Sequence, residues 1–397
     1  EGDIEWFRDT LARIMPKKYK AYQVGEIYSR NIQLDSLIVP RLSFNGKPSE
    51  TTRTSNRPYE MVLVKKDGEM KFSRGLQNRH IALWQSHGRY FDVYSEMWKW
   101  QRPNMFNICE DLFTQSFVLP YLAPMLENAG AYVMMPRERD VQINESIADN
   151  NEVFSGETTT AGSYQEFGSW SDAGNGFGHR QLYYGEENPF ETGTSRKASC
   201  IASNASKGES KIIWRADIQK RGEYSVYISY PTVVESTSAA RYTVHHLGGR
   251  SSFIVNQRMG GGTWIYLGTF EFDKGTEGYV ELTNRIPEGY RHEANSVVTA
   301  DAVRFGGGMG NITRCRKFDP ANDTIPHYGP SVSGLPRSME AARYWLQWAG
   351  VPASIYSQNE GENDYKDDYM SRGDWVAWMS GESAINLKKS GKRIPFD

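Results

Sequence analysis

The sequence predicts an α/β domain with a parallel sheet and flanking helices, interrupted by an inserted all-β sandwich. Three observations lead to this prediction. A strand–helix–strand pattern lies within residues 79–140, and short alternating runs separated by turn residues fill residues 155–310. Helical periodicity then returns at 338–349. Because α/β segments flank the β block on both sides, we interpret the β block as an insertion whose two ends lie close together.

The N-terminal segment, residues 1–75, is predicted to be a leader that packs on the following domain. The spacing of Ile4, Phe7, Leu11 and Ile14 predicts an amphipathic helix over 4–14. The mixed, polar sequence that follows indicates loops and contains no recognisable catalytic residues.

The first part of the α/β domain spans residues 76–150. An apolar strand is predicted over 80–85, a helix from about Asn104 and a second strand over 131–136. Pro120 and Pro124 should kink the helix, and Gly130 should end it. Strand, helix and strand in this order predict a parallel pair with a right-handed crossover.

The β block spans residues 155–310 and contains runs such as "IIWRADI", "YSVYISY" and "TWIYLGTFEF". Their spacing of about ten residues is typical of an antiparallel sandwich. The second part of the α/β domain, 311–397, begins with a proline-rich bridge and continues with the helix at 338–349. The sequence ends on the strand-like "KRIPFD", so we expect this part to be truncated at its C-terminus.

Composition excludes several classes of function. The net charge of −2 and the lack of a Lys/Arg run argue against nucleic-acid binding. No stretch of 18 apolar residues is present to span a membrane. The sequence opens on Glu1, so we expect a removed signal peptide and a periplasmic, outer-surface or secreted location. Three cysteines form no disulfide framework, and whether Cys200 and Cys315 pair stays open.

His87 and Glu110 form a candidate metal site. The first strand ends in Ser86-His87-Gly88, and Glu110 lies early in the crossover helix. The C-terminal end of a parallel strand and the start of the next helix line one edge of the sheet, where ligand sites form in α/β proteins. Zn²⁺ binds such nitrogen and oxygen donors. The alternative is a structural histidine at a strand end and a solvated helix glutamate.

The run "HIALWQSHGRYF", followed by "WKWQRPNMFNICEDLFTQSFVLPYLAPMLENAGAYVMMPRERD", resembles the zinc-dependent N-acetylmuramoyl-L-alanine amidases, in particular the Bacteroidetes branch often labelled xanthan lyase. The resemblance covers about 79–140 and 335–397, including "DYMSRGDWVAW". It implies an amidase-like α/β fold, Zn²⁺ as cofactor, His87 and Glu110 as metal ligands, and Arg89 and Arg372 as substrate-binding residues. The family's second histidine ligand and general-base glutamate are expected beyond Asp397, so the catalytic set of residues 1–397 is incomplete.

The β block resembles the golvesin/xanthan-lyase carbohydrate-binding-type domain, through "ARYTVHHLGGRSSFIVNQRMGGGTWIYLGTFEFDKGTEGYVELTN" and "TADAVRFGGG". The resemblance implies a jelly-roll-like sandwich that binds sugar. Trp170, Trp264 and Tyr266 are candidate stacking residues, and a place in the sandwich core is the alternative for each. His245 and His246 are adjacent in a strand and point to opposite faces, so we expect structural roles for both.

These resemblances leave three functions open. The first is a zinc amidase that cleaves the bond between N-acetylmuramic acid and L-alanine in peptidoglycan. The second is a non-catalytic protein that binds peptidoglycan or another polysaccharide. The third is an accessory protein of a polysaccharide lyase of the xanthan type. No constellation of lyase residues can be argued from the sequence.

Overall fold

The computed structural model describes residues 2–29, 32–33, 60–65, 75–317 and 329–397. The chain divides into two compact units, Glu1–Pro58 and Tyr59–Asp397. In the first unit, helix α1 (Gly2–Ile14) confirms the predicted helix and is followed by a 3-10 turn at Lys17–Tyr19. Strands β1 (Tyr28–Ser29) and β2 (Ile32–Gln33) form an antiparallel hairpin. Most of the predicted polar leader and residues 318–328 of the proline-rich bridge lie outside the described residues.

The second unit is mostly β-sheet. Its sandwich has a six-stranded sheet, a five-stranded sheet and a smaller three-stranded sheet. The six-stranded sheet has the order β12 (Ser163–Phe167), β15 (Lys211–Arg215), β20 (Tyr279–Thr283), β17 (Ala240–His246), β18 (Gly249–Val255) and β3 (Leu63–Lys65). The five-stranded sheet has the order β11 (Thr159–Ala161), β10 (Glu145–Ala148), β22 (Val303–Phe305), β16 (Gly222–Ile228) and β19 (Ile265–Phe272). The three-stranded sheet has the order β13 (Ser171–Gly176), β14 (Gly193–Ser199) and β21 (Val297–Ala300).

The sandwich extends beyond the predicted boundaries of 155–310. Strand β3, assigned from sequence to the leader, pairs with β18 at the edge of the six-stranded sheet. Strand β10, assigned to the α/β domain, lies between β11 and β22 and pairs with both. The two ends of the β block therefore flank a strand that precedes the block in sequence.

The α/β part contains a parallel pair, β4 (His80–Ala82) and β9 (Tyr132–Met134), as predicted. Two hairpins lie between them, β5 (Tyr90–Asp92) with β6 (Met97–Lys99) and β7 (Asn104–Met105) with β8 (Ile108–Cys109). The crossover helix therefore begins at Glu110 and not at Asn104, because residues 106 and 107 turn the chain with φ of 51° and 63°. Residues with positive φ cannot belong to a right-handed α-helix, so the apolar spacing before Glu110 does not form one.

The crossover consists of two helices, α2 (Glu110–Phe117) and α3 (Ala123–Asn128). A π-helical turn, Val118–Leu122, separates them and contains Pro120, in agreement with the predicted interruption. Gly130, with φ of 102°, follows the end of α3 as predicted. No helix in the described part of the chain is long and apolar enough to span a bilayer.

Helices α4 (Ala342–Trp348), α5 (Ala353–Tyr356) and α6 (Asp364–Ser380) follow the sandwich. Trp348 of α4 packs edge-on against Phe177, which also contacts Trp264 of the sandwich. One hydrophobic cluster therefore contains residues of the sandwich sheets and of the C-terminal helices. A second, smaller cluster lies under the crossover and consists of Val118, Ala123, Ala131, Val133 and Met135. Beyond the parallel pair β4–β9, a wider amidase-like α/β fold is not shown.

Candidate functional site

The turn after β4, residues 85–88, is fixed by one buried arginine. Arg137 is 1% exposed and donates to the carbonyl oxygens of Gln85 and His87 at 3.2 and 2.9 Å. Its other nitrogens donate to the carbonyls of Ser338 and Glu340, both at 2.9 Å. A Cβ on Gly88 would lie 2.5 Å from this guanidinium, so only glycine fits there. Arg137 lies in the run ending "MMPRERD" that resembles the amidases. The structure shows that it positions the turn that carries His87.

The hydrogen bonds of His87 determine its tautomer. Its Nδ1 lies 3.0 Å from Asp111 Oδ1, and Arg102 Nε donates to its Nε2 at 3.2 Å. A guanidinium can only donate, so Nε2 must carry the lone pair and Nδ1 the proton. Imidazoles that bind metals usually donate their other ring N–H to a carboxylate, which fixes the ring and makes the ligand nitrogen more basic. The structure holds His87 in this form.

Asp111 was not identified from the sequence, although it follows Glu110 directly. It is 1% exposed and accepts from four donors. The donors are His87 Nδ1, the backbone N–H groups of Gln101 and Arg102, and the thiol of Cys109. Burial alone would raise the pKa of Asp111, but the hydrogen bonds, led by that from His87, lower it overall. Asp111 is buried and Glu110 is exposed, a difference that only the structure reveals.

Glu110 begins α2, and its side chain is 47% exposed. Its Oε1 lies 4.0 Å from Arg102 Nε, the same atom that donates to His87 Nε2. The two predicted ligands therefore converge on one cationic group. No set of three or more His, Cys, Asp or Glu side chains in the described residues is arranged to hold a metal. In the structure the cation between these two groups is the Arg102 guanidinium itself.

The two arginines predicted to bind substrate lie near this site and are engaged by protein groups. Arg372 donates to Asp368 Oδ2 at 2.6 Å, and Gln101 donates to the same oxygen at 2.7 Å. Arg89 donates to the carbonyl of Trp98 at 2.9 Å. Both arginines therefore support the walls of the site in this arrangement.

The end of the described chain pairs with β4. Phe396 bridges His80 in parallel, and the backbone N–H of Asp397 donates to the carbonyl of His80 at 2.9 Å. A parallel strand runs toward the end of β4 that carries His87. His80 itself is fully buried at the opposite end of β4, where its Nε2 accepts from the backbone of Val62.

The three candidate stacking aromatics do not form one surface. Trp264 is 5% exposed and packs against Phe177 and Phe190, so the prediction that it stacks on sugar is wrong and its core alternative holds. Trp170 is half-buried and donates to the carbonyl of Phe167 at 3.1 Å. The ring of Tyr266 is half-buried, with the Arg139 guanidinium 3.9 Å from its centroid.

The adjacent histidines behave as expected for structural residues. His245 stacks on Tyr279 with centroids 4.0 Å apart, and His246 stacks on Phe270 at 4.7 Å. Cys200 and Cys315 are both free thiols, which settles the pairing left open by the sequence.

A large groove lies between helices α2 and α3 and strands β16 and β19. Its volume is about 1180 Å³, and Tyr266 lines it. Arg139 and Glu127 form a bidentate ion pair at 2.6 and 2.9 Å in its wall. Ile143, 47% exposed, adds an apolar surface to the lining. Sequence reasoning missed this groove because it joins segments that were assigned to different domains.

Comparison with known proteins agrees with the predicted resemblance of the β block. Residues 155–307 match the family described as the Golvesin C-terminal domain. A xanthan lyase of Bacillus sp. (strain GL1) is 35% identical over 105 residues, which cover 26% of this chain and 10% of that protein. The chain therefore spans about a tenth of the length of this relative.

Solved structures show more distant similarity. A Paenibacillus xanthan lyase matches with a TM-score of 0.29 and 22% identity over 41% of this chain and 13% of that chain. A carbohydrate-binding module of Cellvibrio mixtus lichenase 5A, in complex with cellotriose, matches with a TM-score of 0.19 and 15% identity over 34% of this chain and 88% of that one.

Proposed function

We propose that the protein binds polysaccharide and that its β-sandwich, with the adjoining groove, is the glycan-binding part. The observation that carries this proposal is the 35% identity to a xanthan lyase, whose name denotes action on a polysaccharide. The match of residues 155–307 to the Golvesin C-terminal domain supports the same region. Glycan binding by the sandwich, without catalysis, requires no catalytic residues there.

The groove beside the sandwich offers a suitable surface. Binding sites for small molecules commonly have volumes of about 300–1,000 Å³, and at about 1180 Å³ the groove can hold more than one sugar ring. Gln142 and Glu223 supply hydrogen-bonding groups, and Leu119, Pro120 and Ile143 supply apolar contacts. Because Arg139 covers one face of Tyr266, we expect sugar to be held by hydrogen bonds and apolar contact with the walls more than by stacking on this ring.

Retention on insoluble polysaccharide tests this proposal. The chain should be retained on peptidoglycan or on a neutral glycan at both low and high salt, because hydrogen bonds and apolar contacts are weakly screened. Replacing Gln142 and Glu223 together by alanine should weaken retention, whereas Glu277→Ala, an exposed change outside the groove lining, should not. Retention that is equal for all three proteins would contradict a role for the groove. A complete lack of retention would contradict the function.

A second function, zinc-dependent amide hydrolysis of peptidoglycan, is favoured by the state of His87. Its Nε2 lone pair and the Glu110 carboxylate converge on Arg102, and Asp111 supports the ring from behind. Zinc binding at His87 and Glu110 would require the Arg102 guanidinium to leave the Nε2 lone pair to which it donates, with Asp111 remaining as the carboxylate that holds the imidazole. Zinc bound there would polarise an amide carbonyl and lower the pKa of a bound water.

Catalytic zinc normally has three protein ligands, and the described residues supply two. We therefore expect residues 1–397 alone to bind Zn²⁺ weakly and to release no muropeptides. A longer chain that supplies a third donor beside β4 should bind Zn²⁺ tightly and release muropeptides. In that longer chain, His87→Ala or Glu110→Ala should abolish both properties. If the longer chain keeps full amidase activity after either change, this second function is wrong. Metal analysis and muropeptide release measure the two properties separately.

A further inference from the structure

A second, smaller pocket lies between the sandwich and the segment that follows α6. Two loops form its walls: residues 258–262, between β18 and β19, and residues 391–393, after α6. Its volume is about 360 Å³. None of its lining residues takes part in the His87 site or in the groove.

The glycines of the first loop are required by close backbone approach. Gly260 and Gly262 have φ of 71° and 70°, a conformation that favours glycine. A Cβ on Gly261 would lie 2.3 Å from the backbone nitrogen of Thr232. The N–H of Gly260 donates to the carbonyl of Lys392 at 2.9 Å, which joins the two walls. The "GGG" motif of the sequence therefore shapes this pocket.

The pocket has an excess of positive charge. Arg258, Lys392 and Arg393 line it with one carboxylate, Glu382. Glu382 pairs with Arg393 at 2.9 Å, and Arg258 pairs with Glu293. Lys392 forms no ion pair with any carboxylate among the described residues. Its ammonium group donates to the carbonyl of Gly261 and lies 5.0 Å from the centroid of the Trp378 ring.

Lys392 is therefore a half-buried cation whose charge is not balanced. Burial lowers its pKa to about 8, so it stays charged at neutral pH while it lacks the solvation of a surface lysine. A bound anion would replace that solvation. Glu382 and Arg393, which pair across the pocket rim, both have left-handed φ of 62° and 66°. Residues in this region other than glycine often mark ligand sites, because the strain must be held by the surrounding structure.

We propose that this pocket binds the carboxylate of an acidic sugar, such as a uronate residue of a polysaccharide. This proposal rests on the proposed polysaccharide function and specifies its ligand. The three cations and their two carboxylate partners leave one net positive charge, which suits a monoanionic carboxylate better than a dianionic phosphate. The volume of the pocket admits a sugar ring together with its carboxylate.

The test measures the binding of small ligands to the chain and to a variant in which Lys392 is replaced. Sodium D-glucuronate, D-glucose and inorganic phosphate are titrated into the full chain by calorimetry or NMR. Glucuronate should bind about tenfold more tightly than either of the others. Lys392→Met should lower glucuronate affinity by about tenfold or more, whereas Lys388→Met, an exposed lysine outside the pocket, should not. Arg258→Met provides a second variant on the opposite wall and should also weaken binding.

Several results would overturn the proposal. Equal affinity for glucuronate and glucose excludes a carboxylate site, and tighter binding of phosphate excludes the sugar class. Unchanged glucuronate affinity in Lys392→Met, or in folded Arg258→Met if Lys392→Met does not fold, excludes the pocket. Retention of the chain on a neutral polysaccharide alongside any of these results would leave the polysaccharide function standing. Glucuronate binding without retention on any polymer would instead support the pocket and contradict that function.

Discussion

Replacing Asp111 by asparagine should destabilise the second unit strongly while changing almost no volume. Each carboxylate oxygen of Asp111 accepts from two donors, and the residue is 1% exposed. An asparagine must turn its NH₂ group toward one of these donor pairs, so two charge-assisted hydrogen bonds are lost. Each such bond contributes about 1.5–3 kcal/mol, and breaking a buried charged network costs about 3–5 kcal/mol. We therefore expect a loss of about 4 kcal/mol in the free energy of unfolding.

Urea denaturation followed by tryptophan fluorescence measures this loss. With an m-value of about 3 kcal/mol/M, the midpoint should fall by about 1 M. Glu110→Gln is the matched control, because its exposed side chain should contribute less than about 0.5 kcal/mol. The folded-state pKa of Asp111 is lowered, so its contribution is present at neutral pH and is lost as the pH falls below the ordinary value of 3.8. A midpoint for Asp111→Asn within error of that for Glu110→Gln at pH 7 would refute the hydrogen-bond argument.

Three further predictions concern the sandwich. Residues 143–310 expressed alone should unfold cooperatively, whereas residues 155–310 should be markedly less stable because they lack the strand between β11 and β22; equal melting curves by circular dichroism would contradict this. Burial raises the pKa of Asp301 to about 7, and burial, with a smaller effect of the neighbouring Asp301 carboxylate, raises the pKa of Asp149. The folded state therefore holds protons that the unfolded state releases above about pH 4, so unfolding free energy should fall as pH rises from 4 to 7. Asp149→Asn should reduce this slope in denaturation at several pH values, and an unchanged slope would exclude the pair as its source. Trp264→Ala should cost about 4 kcal/mol of stability through the cavity it leaves, and a loss below about 1 kcal/mol would show that its site collapses at little cost.

The sequence predicted local elements well where hydrophobic spacing and turn residues agreed. The helix over 4–14, the parallel pair 80–82 and 132–134, and the end of the crossover near Gly130 all follow from local signals. The start of the crossover helix was wrong, because the apolar spacing around Met105 and Ile108 does not reveal that residues 106 and 107 adopt left-handed conformations.

Long-range pairing could not be predicted in the same way. Nothing local to Glu145–Ala148 indicates that this strand enters a sheet between two strands of the later block. At the candidate site, the sequence indicated His87 and Glu110, and in the structure both side chains lie next to Arg102 Nε. Asp111, at the start of α2, and Arg102, in the loop before β7, were missed. Their contacts with His87 depend on where each side chain points, which the sequence does not reveal. Trp264 was ambiguous because core and binding aromatics share the same alternating pattern.

The position of α2 has a consequence for how the groove and the His87 turn are related. A binding module on a flexible linker supplies its ligand at an effective concentration set by the linker. Here α2 lines the groove through Leu112 and Gln115 and also begins with Glu110, next to the His87 turn. A ligand seated in the groove would thus contact the same helix that holds the His87 imidazole through Asp111, with no flexible linker between them. Because α2 also lines the groove, a change in its length would alter the groove and the His87 turn together.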